Sequence, residues 1–164
     1  ASGGEGLLVM RAAEMAQAGA DAPAILAELA RLKPLTLTWA LARDVRHAVR
    51  GGRIPAWAKP LVDWLGLTPM AKVKPTGRLG VVGGLFGAAS QPERFGRYVA
   101  RRVARGQRLR VIVGHCDAAA DGARLLATLR AELDVAEAWL VETGSAIGAH
   151  AGPGALVVSV QPLA

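Results

Sequence analysis

A chain of 164 residues with 52% hydrophobic but only 4% aromatic residues has a core of Ala, Leu and Val, which excludes a disordered polymer. One cysteine, Cys116, excludes an intramolecular disulfide framework and a cysteine-rich metal site, and suits a reducing compartment. A net charge of +7 favours anionic partners without naming one.

In chain order, residues 5–18 read as a helix with Leu8, Ala12 and Met15 on one face, stopped by Gly19. Asp21 caps a second helix, with Pro23 in its first turn and Ile25, Leu29 and Leu32 on one side. Lys33-Pro34 ends it, because the residue before proline is pushed out of the α region. Leu35 to Ala42 alternates as a strand, and a short helix carries Val45 and Val49 towards Gly51-Gly52. Another helix is expected from Pro55 to Leu65. Met70 to Lys74 and Leu79 to Phe86 read as strands around the turn Pro75-Thr76-Gly77. Pro92 to Arg105 reads as an amphipathic helix with Phe95, Val99 and Val103 inward. Arg108 to His115 is a strand, followed by a helix with Leu126, Leu129 and Leu133 facing in. Val135 to Thr143 and Leu156 to Gln161 are the last strands. Some strand connections are too short for a parallel crossover. The expected fold class is therefore α+β: a two-layer domain with a mixed or antiparallel sheet packed by helices. A boundary is expected near Pro34.

Two segments carry chemistry. Gly51-Gly52-Arg53-Ile54 follows a helix bearing Arg43, Arg46 and Arg50. Its glycines permit a sharp helix stop and would hold Arg53 in a defined direction. Arginine presents a planar fork that matches a carboxylate or phosphate, though a helix stop with a solvated Arg is the commoner reading of these residues alone. In the second segment, His150-Ala151-Gly152-Pro153-Gly154, Pro153 stiffens a turn whose glycine amides could line an anion-binding concavity. His150 is the titratable side chain in an otherwise small, apolar stretch, able to donate to a ligand or simply to a backbone carbonyl.

Taken together, these segments resemble the DegV family. The pattern is a Gly-Gly-Arg-Ile turn after a helix, then βα units, then Ile147-Gly148-Ala149-His150-Ala151-Gly152-Pro153-Gly154-Ala155. Val113-Gly114-His115-Cys116-Asp117-Ala118 sits where the family has a strand ending in His-x-Asp-Ala. The opening Ser2-Gly3-Gly4-Glu5-Gly6-Leu7-Leu8-Val9 is similar to the family segment that starts a long helix.

The resemblance implies a non-enzymatic cytoplasmic carrier that holds a long-chain fatty acid between a Rossmann-like first domain and an α+β second domain. On this reading residues 1–34 are a helical remnant of the first domain and residues 35–164 form the C-terminal domain. Arg53 and His150 match carboxylate-binding positions, supported by the turns at Gly51, Gly52, Gly152, Pro153 and Gly154. The implied partners are the fatty acid, a fatty-acid kinase serving phospholipid synthesis, and the missing N-terminal domain in cis or on another chain. The bound fatty acid is expected as ligand, with no cofactor or metal. About a dozen buried methylenes at about 0.8 kcal/mol each would supply about 10 kcal/mol before binding costs. The carboxylate would then need a cationic donor.

Other signals carry less. Arg94, Arg97, Arg101 and Arg105 fall on one expected helix stripe that would suit an acidic partner or nucleic acid. No nucleic-acid motif accompanies the stripe, so nucleic acid is not expected. His47, His115 and His150 lack zinc spacing. No run approaches the roughly 18 apolar residues needed to cross a bilayer, and no signal peptide is visible.

Overall fold

A computed structural model describes residues 2–52 and 59–163. Helices α1 (Gly3–Gln17) and α2 (Ala22–Leu32) lead through a 3-10 turn to strand β1 (Leu37–Leu41). Then come α3 (Val45–Arg50), α4 (Lys59–Trp64), the β2 (Leu67–Val73) and β3 (Leu79–Phe86) hairpin, and α5 (Gln91–Ala100). The chain continues through β4 (Leu109–His115), α6 (Ala119–Glu132), β5 (Val135–Glu142), α7 (Ser145–Ala151) and β6 (Leu156–Pro162).

The strands form one sheet in the order β3-β2-β1-β6-β4-β5. The β4–β5 pair, joined through α6, is parallel, and the other pairs are antiparallel. This is the expected α+β class with a mixed sheet packed by helices. Alternation along the strands sorts two faces. Trp39, Leu41, Val111, Val113, Leu156, Val158 and Val160 point into a core shared with Phe95 and Val99 of α5 and Leu125 and Leu129 of α6.

The opposite face carries α1, and glycines set the approach. A Cβ at Gly3 would lie 2.9 Å from Ile112 Cγ2 and from Ser159 Oγ, and one at Gly4 would press on Thr38 Oγ1 at 2.5 Å. The helix backbone therefore rests directly on β4, β6 and β1. Beneath it, Thr38 and Ser159 share a buried hydrogen bond of 2.9 Å. Farther along, the buried Arg110 on β4 bridges Glu14 of α1 (2.8 Å) and Glu137 of β5 (3.0 Å). α2 docks on α1, with Leu32 fully buried and Arg11 bonded to Glu28 at 3.2 Å. Asp21 caps α2 by accepting from the Ala24 amide at 2.9 Å, as the sequence predicts.

The Arg110 triad yields a measurable consequence. Its hydrogen bond to Arg110, opposed by burial, holds the Glu14 carboxyl below its ordinary range. A depressed carboxylate stabilises the fold above its unfolded pKa, and that contribution is lost as pH falls through the folded value. Both glutamates are more than a third exposed, so screening keeps the Glu14 contribution below about 1 kcal/mol. Removing both counter-charges is worse, because it leaves a buried guanidinium unpaired. Glu14→Gln with Glu137→Gln should cost about 1–3 kcal/mol at pH 7, and Glu14→Gln alone should flatten the loss of stability between about pH 5 and pH 3. Urea melts across pH test both. An unchanged midpoint in the double variant would refute the account.

Several boundaries differ from the sequence reading. β1 starts at Leu37, because Lys33–Leu35 forms a 3-10 turn. β2 begins at Leu67 rather than Met70, extending across Pro69, whose carbonyl accepts from Ala42 at 3.1 Å. α5 ends at Ala100, so Arg101 and Arg105 fall outside the helix and the four-arginine stripe does not exist as one helix face. The helix expected from Pro55 to Leu65 is described from Lys59 to Trp64, and Leu65 is exposed. α7 was not expected at all; one isoleucine among Ser, Ala, Gly and His leaves no apolar period to read.

Candidate functional site

The two motifs meet at the end of the sheet where β1 and β4 finish and β6 begins. α3 starts at Asp44, whose carboxylate accepts from the Arg46 amide at 3.0 Å. It stops at Gly51-Gly52, whose amides donate to the His47 and Val49 carbonyls at 2.9 Å. Gly52 has φ +70, the left-handed value that the helix stop requires. On the other side, α7 stops at Gly152, whose amide donates to the Gly148 carbonyl at 2.8 Å. The Gly154 amide then donates to the Cys116 carbonyl at 2.7 Å, anchoring the turn to the end of β4.

The segments 43–51 and 150–154 interlock through missing side chains. A Cβ at Gly51 would lie 3.2 Å from His150 Cε1 and still closer to Nδ1. One at Gly152 would lie 2.7 Å from His47 Cδ2 and 3.1 Å from Asp44 Cβ. One at Gly154 would lie 3.2 Å from Arg43 Cδ. Each long side chain thus rests on a glycine of the other segment, in antiparallel order: 43 with 154, 47 with 152, 51 with 150. Gly152 and Gly154 combine this crowding with φ of +73 and +80, so any L side chain there is both strained and obstructed.

His150 is brought against Gly51 and remains exposed to solvent. Arg53 lies outside the described residues, so the structure gives no distance between these two candidates. The expected anion-binding nest of glycine amides is not free: the amides of Gly152, Gly154 and Ala155 donate to the carbonyls of Gly148, Cys116 and Gly152. The amides of this turn are therefore spent within the fold, and the turn serves as a support.

Charge around the site is ordered by Arg43, which reaches Gln91 Oε1 at 3.1 Å and pairs with Asp121. Gln91 is buried and donates to Thr68 Oγ1 at 2.8 Å and to the Gly87 carbonyl at 2.7 Å. Arg43 therefore ties the Gly154 turn to the starts of α5 and α6. Burial opposes ionisation of Asp121, yet hydrogen bonds from Arg124 and Arg43 hold its pKa below the ordinary value. Asp44 is held at about 2, chiefly by the Arg46 side chain. His115, the last residue of β4, is buried, and its Nδ1 accepts from the Ala118 amide at 3.4 Å.

On the α1 face of the sheet, a cleft of about 270 Å³ opens between the start of α1 and α7. Ser2, Gly3 and Gly6 form one wall, Ile112 and Gly114 the floor, and Ile147 with Val141 the far side. Ile147 and His150 are three residues apart on α7 and so share one helix face. The sequence reading missed Gly3, Gly6, Ile147, Arg43 and His47. Only the glycines at 3, 4 and 6 within a helix signalled a close approach. Among the described residues no cluster of His, Cys, Asp and Glu could hold a metal ion, and no helix is long and apolar enough to cross a membrane.

A family model described as "Uncharacterised protein, DegV family" matches residues 1–163. A DegV domain-containing protein of Deinococcus radiodurans is 32% identical over 172 residues, covering 98% of this chain and 57% of that protein. Among solved structures, a fatty-acid-binding DegV family protein from Thermus thermophilus superposes with a TM-score of 0.81 at 31% identity, covering 98% of this chain and 57% of that one. A DegV lipid-binding protein from Thermotoga maritima gives 0.86 at 25%, covering 99% and 56%. The chain spans about half the length of the curated relatives it matches.

Proposed function

The chain belongs to the DegV family, and on that premise we propose that it supplies one half of a fatty-acid-binding site and acts as a carrier rather than an enzyme. The observation that carries the reading is that α7 bears both Ile147, in the wall of a largely apolar cleft, and His150, rested on the Gly51 helix stop. The cleft takes part of an acyl tail, and His150, with Arg53, receives the carboxylate. At about 270 Å³ the cleft is smaller than a complete small-molecule site of roughly 300–1,000 Å³, which fits a ligand shared with a second half. Relatives of nearly twice this length supply the precedent for that half.

In this proposal residues 1–34 are the helical remnant of the first domain and residues 35–164 the C-terminal domain, and the tail lies in the cleft between them, with Ser2, Gly3 and Gly6 on one side and Ile112 and Ile147 on the other. The carrier would present its carboxylate to a fatty-acid kinase for phospholipid synthesis. An exposed His150 suits that hand-over, because a head group held at the surface is accessible to a second protein.

Gly6→Phe tests the cleft. A Cβ at Gly6 meets Ile112 Cδ1 at an ordinary 3.5 Å, so the backbone accepts a side chain there while the ring enters the cleft. Lipid extraction and mass spectrometry of the chain extended to the length of its relatives should recover fatty acid from the wild type and at least about tenfold less from Gly6→Phe, the equivalent of about 1.4 kcal/mol. Equal recovery from both would refute the cleft as tail site.

A further inference from the structure

His47 is the part of the interlock that the proposed carrier chemistry leaves unused, and it touches both supports of His150. Its carbonyl accepts the Gly51 amide at 2.9 Å, fixing the glycine on which the His150 ring rests. Its ring lies on Gly152, 2.7 Å from where a Cβ would stand, and Gly152 terminates α7, the helix that carries His150. The ring is itself held: Nε2 lies 3.6 Å from the Asp44 carboxylate, too far for a hydrogen bond but within ion-pair reach. Asp44 in turn accepts three bonds from the Arg46 guanidinium, at 2.9, 3.2 and 2.7 Å.

We propose that His47 is a positioning residue for His150: its ring, wedged between Asp44 and Gly152, sets where α7 ends and therefore where the His150 imidazole stands. The proposal rests on the reading of His150 as a carboxylate donor for its functional meaning, but the geometric coupling is independent of it. Packing, not proton transfer, carries the effect, because the ring meets Gly152 through Cδ2, a carbon. A ring without nitrogens is therefore expected to substitute for it, and a small side chain is not.

The test uses the full chain with isotope-labelled histidine, whose rings number three, and 1-13C palmitate as probe. Without ligand, His47→Ala should move or broaden the His150 ring signals while leaving those of His115, the last residue of β4, in place. His47→Phe should restore the His150 signals to near their wild-type positions. With palmitate, His47→Ala should weaken binding by about fivefold or more, the scale of one lost hydrogen bond, with His47→Phe within about twofold of wild type. His150 signals unchanged in His47→Ala would overturn the proposal, as would a loss that Phe fails to rescue. Should the wild type, extended to the length of its relatives, bind no palmitate while the His150 signals respond as described, the positioning role stands and the fatty-acid reading falls. If His47→Ala does not fold, His47→Gln replaces it under the same criteria.

Discussion

Phe95→Ala is expected to lower the unfolding free energy by about 3–5 kcal/mol, the range for deleting a large aromatic from a packed core. Phe95 is fully buried on α5, in the cluster that joins that helix to α6 and the sheet. The void cannot close cheaply, because the helices are already pressed together. A Cβ at Gly96, the next residue, would lie 2.8 Å from Thr128 Cγ2 of α6. A few kcal/mol is a large share of the roughly 5–15 kcal/mol that a domain has in total. Denaturant titration gives the value directly, and a change below about 1 kcal/mol would mean that α5 is not packed as described.

His150→Ala carries the largest expected effect on binding. A hydrogen bond to a charged group contributes about 1.5–3 kcal/mol, so fatty-acid affinity should drop by about tenfold to a hundredfold. The figure belongs at the lower end, since His150 is exposed and water partly replaces it. Arg53→Lys should not restore a bidentate contact, because an ammonium has no planar fork. Calorimetric titration with palmitate, on the chain extended to the length of its relatives, reads both variants. Wild-type affinity in both would remove the head-group assignment while leaving the cleft prediction intact.

β4 and β6 were legible because burial on both faces leaves unbroken branched runs: Val111-Ile112-Val113 and Val157-Val158 have no polar break. α5 was read too long for an instructive reason. Phe95, Val99 and Val103 keep helical spacing, and Val103 is indeed buried, but it reaches the core from a bend beyond the helix end. Spacing reports which residues go inside, not by what backbone path. The interlock of His47 with Gly152 and of His150 with Gly51 was illegible for a different cause. A glycine's role there is the space it leaves for a side chain about a hundred residues away, and that partner is fixed only by the topology. The motif resemblance located the segments; the fold supplied their pairing.

The position of β6 has a consequence for how the molecule is made. It is the last strand in the chain order, yet it lies between β1 and β4 and holds the β1–β2–β3 meander to the β4–α6–β5 unit. During translation those two pieces emerge first, each with local contacts enough to collapse early, but with no hydrogen-bonded bridge between them. The keystone arrives only when residues 156–162 leave the ribosome. Until then β1 and β4 present unpaired apolar edges, a state open to mispairing and to chaperone capture. Closing the sheet then requires strands more than a hundred residues apart in sequence to meet, which makes the final step the slow one.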